Sequence, residues 1–371
     1  MLARMTTLQT EFTADEILMD QPIAEPLVTG GVRCHGGFDD TGRYVSPRTR
    51  FRVPGIEAWQ QKHREEFGNE ILDIPLETWP SHYPNVAQAR YLIEAGVPEP
   101  LVSTLTRIGT VEGFGANIRF LQPGDMQRHF DESITGTAVD HLGKGLFEAH
   151  GRDEAGWERE AGHKDMWFTA RDIAFENPSA HIDIDGMLQR MGFGQNRGSG
   201  GGGGGPLFER LLPDDIDANL ELIAGLMTRV LLIEIQAFHT FRWAEAWLSD
   251  DQLVAGDGEA AKIVTYIRAD ETPHVGYLKT ALTEMRDRTW IGESGKKYAG
   301  EEMIGRIWNA ALDQSLGAGR EQNRKAILGE VEHFCGKRPN GAEILEGFHA
   351  LGDGDRPEAG GAAEYGQPAT Y

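Results

Sequence analysis

From Pro98 onward, apolar residues recur at intervals of three and four, the spacing that keeps side chains on one face of an α-helix. The pattern predicts helices near residues 99–121, 126–150, 157–176, 214–249, 258–288 and 300–334, with no convincing alternating strands between them. Before Pro98 the periodicity breaks. Gly and Pro interrupt "TGGVRCHGGFDDTGRYVSPRTRFRVPG" and "LETWPSHYPN", leaving a short helical interlude at "IEAWQQKHREEFG" and a hairpin at "FDDTGRYV". The expected organisation is an irregular arm over 1–97, a helical body over 98–335 and a partly disordered extension over 336–371. The tract "GQNRGSGGGGGGP" at 194–206 can bury no side chain and reads as a flexible loop. It lacks the preceding strand and Gly-Lys-Ser/Thr ending of a phosphate cradle. The tail from Gly352 has the composition of a disordered segment.

Polar residues intrude on the apolar stripes at a few positions. In the helix expected over 258–288, Val264, Ile267, Glu271, His274, Leu278 and Leu282 step by three and four, so Glu271 and His274 project into the core together. An ionised carboxylate in an apolar interior must be paired or metal-bound. Glu-x-x-His is a spacing with which one helix offers an oxygen and a nitrogen to one metal. The chain repeats it at Glu160 and His163, followed by the apolar face of Met166, Trp167, Ala170, Ile173 and Ala174. Two more helices supply single glutamates, Glu148 in "LGKGLFEAHG" and Glu234 in "VLLIEIQAFHTF", the latter on a stripe with Leu231, Ala237, Phe238 and Phe241. Read in chain order, these residues are E, ExxH, E, ExxH. Glu148 lies only 12 residues before Glu160 (160 − 148), so Glu132 and Glu112 stay open as alternatives for the first glutamate. Pro273 falls inside the last motif and is expected to kink or bulge that helix.

Other candidates carry plainer readings. His141, His150 and His239 read as hydrogen-bonded packing residues, with His150 and His239 available as extra ligands. Phe147, Trp167, Phe168, Phe238 and Phe241 read as core, part of which would line an apolar substrate cavity beside a metal site. Tyr266 and Tyr277 flank the last motif away from the centre of its stripe, which disfavours a radical role.

Charge narrows the partners. The 371-residue chain carries a formal charge of −22 with a pI near 4.9, against binding nucleic acid or an anionic membrane surface. Its two cysteines, Cys34 and Cys335, form neither a disulfide framework nor a thiolate zinc site. With no signal-peptide pattern and no run long enough for a membrane span, the expected location is the cytoplasm. Four glutamates and two neutral imidazoles carry −4, which two divalent ions cancel. Oxygen-rich ligation suits iron or manganese better than structural zinc.

The E, ExxH, E, ExxH set resembles the ferritin-like diiron-carboxylate proteins, whose four-helix bundle carries single glutamates on two helices and ExxH on the other two. The stretch from Glu160 through "HKDMWFTARDIAF" resembles the second ligand helix of aldehyde-deformylating oxygenases. The run Asp270-Glu271-x-x-His274 resembles that of ribonucleotide reductase small subunits. The resemblance covers roughly 126–290. It implies an all-α, ferritin-like four-helix bundle with an irregular N-terminal arm and extra flanking helices. The implied ligands are Glu148, Glu160, His163, Glu234, Glu271 and His274, holding two iron ions or a manganese–iron pair. Asp270 would accept a hydrogen bond from the far nitrogen of His163. The implied function is an O2-dependent diiron oxidase or monooxygenase acting on a small organic substrate, with an external electron donor and a homodimer as a possible assembly. A ferritin-type iron-storage protein and a metal-free helical interaction module are the alternatives.

Overall fold

The computed structural model describes residues 8–176, 178 and 210–352; the Gly-rich tract 194–206 and the tail beyond Gly352 lie outside the described residues. The chain is mostly helical. The longest helices are α6 (Ala218–Leu248) and α7 (Glu259–Arg286). They form an antiparallel hairpin, because Glu245 near the end of α6 accepts from Thr265 and Arg268 near the start of α7. Asp217 caps α6 by accepting from the amides of Asn219 and Leu220. Around this hairpin pack α3 (Glu99–Gly115), α4 (Phe147–Ala155) and α5 (His163–Ala174), with α3 against α4 and α5, and α5 against α7. The interior between them holds Leu105, Leu146, Met166, Trp167, Leu231, Phe241, Ile267 and Leu278, each essentially inaccessible to water.

The arm does not stand apart from this core. Its α1 (Thr49–Phe67) packs on α7, and Phe12, Ile17, Cys34, Tyr44, Ile56, Trp59 and Trp79 join the same apolar cluster as the bundle. Helix α1 begins well before the expected interlude because Pro54 lies near its start, where it forfeits a single backbone bond. The hairpin expected at 38–45 is present, with Phe38 opposite Tyr44. Helix α2 (Val86–Glu94), opened by a reciprocal cap between Asn85 and Gln88, has no counterpart in the sequence expectation.

Three expected helices are shorter or broken. The stretch 126–150 is not one helix but short helical turns separated by the non-helical 130–137, and Gly145 at φ 116° cannot belong to an α-helix. The helix expected from 157 begins at His163, because 156–162 forms a tight ladder pairing Gly156 with Ala161 and Trp157 with Glu160. The 300–334 helix splits at Gly317 into α8 (Gly300–Leu312) and α9 (Gly319–Cys335). In the extension, α10 (Gly341–Ala350) buries Ile344 and Phe348 against Leu92, Val97, Val331 and Cys335. Among the described residues, no helix is long and apolar enough to cross a membrane.

Candidate metal centre

Five helices deliver seven side chains of types that can ligate metal to one point in the interior. Glu112 comes from α3, His150 and Glu154 from α4, His163 from the first residue of α5, Glu234 from α6, and Glu271 and His274 from α7. On α4 the four-residue spacing places His150 and Glu154 about 40° apart on one face. All are buried except Glu112, which is nearly so.

The seven form two overlapping groups. His163 Nδ1 lies 2.8 Å from Glu271 Oε1, 3.3 Å from Glu154 Oε2 and 3.7 Å from Glu112 Oε2. His274 Nδ1 lies 2.6 Å from Glu271 Oε2, 3.6 Å from Glu154 Oε1 and 3.9 Å from Glu234 Oε1. His150 Nε2 joins this second group, 3.5 Å from Glu154 Oε1 and 3.6 Å from Glu234 Oε1. Glu154 and Glu271 therefore turn one oxygen to each group, as bridging carboxylates do. Close packing of α3 on α4 makes this possible. A Cβ on Gly115 would sit 2.6 Å from the Glu154 carboxyl carbon, so only glycine leaves that carboxylate its place.

His274 and His150 are held from behind by the second ring nitrogen, whereas His163 Nε2 faces a carboxylate without a hydrogen bond. His274 Nε2 lies 3.1 Å from Asp153 Oδ2, His150 Nδ1 lies 3.0 Å from the Tyr277 hydroxyl, and His163 Nε2 lies 3.5 Å from Asp270 Oδ2. The rings of His150 and His274 stack with centroids 3.8 Å apart. Asp153 is itself buried between two arginines of the arm, with Arg48 Nε at 2.8 Å and an Arg52 amino group at 2.6 Å. Burial alone would raise the Asp153 carboxyl, but Arg52 and Arg48 outweigh it and hold the group well below the usual carboxylate range.

Without a metal, the cluster is electrostatically uneasy. Burial, followed by the repulsion of Glu271, pushes Glu154 up to about 8 and Glu234 well above the usual range. Burial also raises Glu112. Burial would lower His274 and His163, but the facing carboxylates overcome it, lifting His274 to about 9 and His163 well above its ordinary value. Burial and the neighbouring His274 push His150 well below. His150 Nε2, His163 Nδ1, Glu154 Oε2 and Glu271 Oε1 are buried, point inward and have no hydrogen-bond partner. Unsatisfied buried donors and acceptors of this kind cost about 1–3 kcal/mol each. A pair of divalent cations answers both defects, because it uses the orphaned atoms and cancels four carboxylate charges. The residues are an oxygen-and-imidazole set that could hold metal.

No protein-family model matches the chain, and no curated protein or solved structure matches it.

Of the expected ligands, the structure brings His163, Glu234, Glu271 and His274 together and leaves out two. Glu148 points about 200° around α4 from His150, toward the surface, where it takes both Arg119 and Arg152. Glu160 lies in the ladder ahead of α5. The Glu160-x-x-His163 spacing therefore does not run along a helix, and Glu160 instead sits half-buried, where burial raises its carboxyl against the opposing pull of His35 and Arg48. Their places are taken by Glu112, already an alternative for the first glutamate, and by Glu154. Glu132 is remote, accepting from the Thr289 amide and hydroxyl.

The remaining candidates also find their places. Asp270 lies 3.5 Å from His163 Nε2 without the expected hydrogen bond, and its closest partner is His35 Nδ1 at 2.9 Å. Helix α7 runs unbroken through Pro273, so the expected bulge is absent. His141 bonds the Phe12 amide and the Thr137 carbonyl, and His239 the Leu76 carbonyl, leaving His150 as the extra candidate ligand. Phe147, Trp167, Phe238 and Phe241 are core, whereas Phe168 is half-buried beneath Arg171 and Lys164. The i, i+4 pair His150 and Glu154 was the readable signal for the missed bridge. Asp153, His35, Arg48 and Arg52 carry no such local signal.

Proposed function

We propose that the chain is a ferritin-like, non-haem dinuclear oxidase or oxygenase. Its metals, two iron ions or a manganese–iron pair, would be held by Glu112, Glu154, His163 and Glu271 on one side and His150, Glu154, Glu234, Glu271 and His274 on the other. The observation that carries this reading is the convergence of four carboxylates and three imidazoles, with orphaned inward atoms, in a water-excluding helical core. Held there, two adjacent redox-active ions would supply the electrons that activate O2 for oxidation of a bound organic substrate.

The protein's own contribution is placement and proton control. Tyr277 and Asp153 fix which nitrogen His150 and His274 turn inward, and the Asp270 carboxylate lies opposite Nε2 of His163. Glu112, the least buried of the seven, marks the side of the cluster nearest solvent and hence the side from which substrate and O2 approach. The core of Trp167, Phe238 and Phe241 keeps bulk water from the rest. Electrons would come from an external donor protein or small reductant.

The test is O2 uptake by ferrous-loaded protein with a chemical reductant, wild type against Glu234→Ala. Wild type should consume O2 at a metal-dependent rate. The variant should lose at least 10-fold of that rate while keeping its helical circular dichroism. Equal rates would refute the proposal.

A further inference from the structure

Behind the two histidines that anchor opposite halves of the cluster runs a line of close polar neighbours, not all of them hydrogen-bonded. His163 Nε2 faces Asp270 Oδ2 at 3.5 Å, and Asp270 Oδ2 meets His35 Nδ1 at 2.9 Å. His35 Nε2 lies 3.3 Å from Asp153 Oδ1, and Asp153 Oδ2 lies 3.1 Å from His274 Nε2. Every member of this loop is fully buried. Four of the five come from the bundle. The fifth, His35, is carried by the arm, 235 positions from Asp270 in sequence, and is the sole member touching both carboxylates. Arg48, also from the arm, lies against His35 Nε2 and against Asp153.

We propose that His35 is a positioning residue for the Glu112/His163 half of the metal centre, its Nδ1 donating to Asp270 while its Nε2 accepts from Arg48. This inference rests on the dinuclear reading above. The physical reason is an asymmetry in what each carboxylate would lose. Without His35, Asp153 keeps Arg48, Arg52 and His274. Asp270 loses its nearest partner and keeps only the longer approach of His163. The His163 ring is then less firmly set, and the half it serves binds metal less tightly, by the roughly 10- to 100-fold typical of partners behind a ligand. His35, His163 and Asp270 could themselves be taken for a third cation site. The Arg48 guanidinium against His35 argues for hydrogen bonding there instead.

The test is anaerobic titration of metal-free full-length protein with Co2+, following the ligand-field absorption and the bound Co2+ per chain. Wild type should bind two. His35→Ala should keep one ion at wild-type affinity and bind the second roughly 10- to 100-fold more weakly, with a changed spectrum for that ion only. An asparagine amide nitrogen falls where Nδ1 lies, and a glutamine amide nitrogen where Nε2 lies. His35→Asn should therefore recover most of the lost affinity and His35→Gln should not. A merely structural role would not separate Asn from Gln, and should the Ala variant fail to fold, that comparison alone decides. Equal behaviour of Asn and Gln, equal weakening of both ions, unchanged binding in all variants, or a third Co2+ in wild type lost with His35 would each overturn the inference. A wild type that binds fewer than two Co2+ would instead sink the dinuclear reading, and this inference with it.

Discussion

Gly115 separates the metal centre from the stability of the fold. It ends α3 with helical dihedrals, φ −52° and ψ −37°, so alanine fits its backbone without strain. Replacing a helical glycine by alanine stabilises by about 0.4–1 kcal/mol where the conformation allows it. The new methyl group, however, would lie 2.6 Å from the Glu154 carboxyl carbon and 2.9 Å from its Oε1. Relief to an ordinary contact of about 3.4 Å requires a shift of about 0.8 Å. Metal–ligand distances tolerate about 0.2 Å. The bridging carboxylate is the movable partner, so it gives way and the site is spoiled while the helices stay. Gly115→Ala should unfold at the wild-type temperature or a few degrees above it when metal-free. Its affinity for ferrous or cobaltous ion should fall at least 10-fold, and the stabilisation that metal confers on wild type should shrink accordingly. Thermal unfolding with and without metal, paired with equilibrium titration, measures both quantities. Wild-type metal affinity in the variant would refute the assignment of Glu154 as a bridge.

Further outcomes follow from the same geometry. In the metal-free protein His274 titrates at about 9 and Glu154 at about 8, so both hold protons at pH 7 that metal must displace. Protons are bound in the free site, where His163 and Glu234 are raised as well, and released on loading, so affinity must rise with pH, by at least roughly 100-fold per unit near pH 7; titrations at pH 6, 7 and 8 showing constant affinity would contradict this. Asp270→Asn should retain metal but weaken binding by roughly 10- to 100-fold, since it removes the charge shared by His35 and His163; unchanged binding would assign Asp270 a packing role. Glu148→Ala should leave two ions bound and cost no more than about 1 kcal/mol in chemical denaturation, because its arginine pairs are partly solvated. Glu154→Ala should abolish binding of both, and the reverse ranking would restore the first sequence assignment.

The legible part of the site lies on the helices whose periodicity is unbroken. Glu234, Glu271 and His274 sit on α6 and α7, where spacing in sequence converts directly into direction in space. Glu160 failed for the complementary reason. The conversion assumes a helix, and residues 156–162 instead turn through Gly156 and Glu158, both at positive φ. The same turn hid Glu154, because α4 continues through "GRDEA", a stretch whose charges and glycine read as a loop. Glu112 was harder still, since the second half of α3 is only half-buried and shows no clean apolar stripe. The contributions of His35, Arg48 and Arg52 could not be read at all. They depend on where an irregular arm folds back, and no local pattern encodes a contact made more than 100 positions away.

The most direct test of the central claim is anomalous diffraction from crystals of the protein reconstituted with ferrous iron or manganese, combined with elemental analysis of the same sample. Two anomalous peaks about 3.5–4 Å apart should lie between the Glu154 and Glu271 carboxylates, one beside His163 and the other between His150 and His274, with two ions per chain in solution. A single zinc, or no density among these seven side chains after reconstitution, would contradict a dinuclear centre.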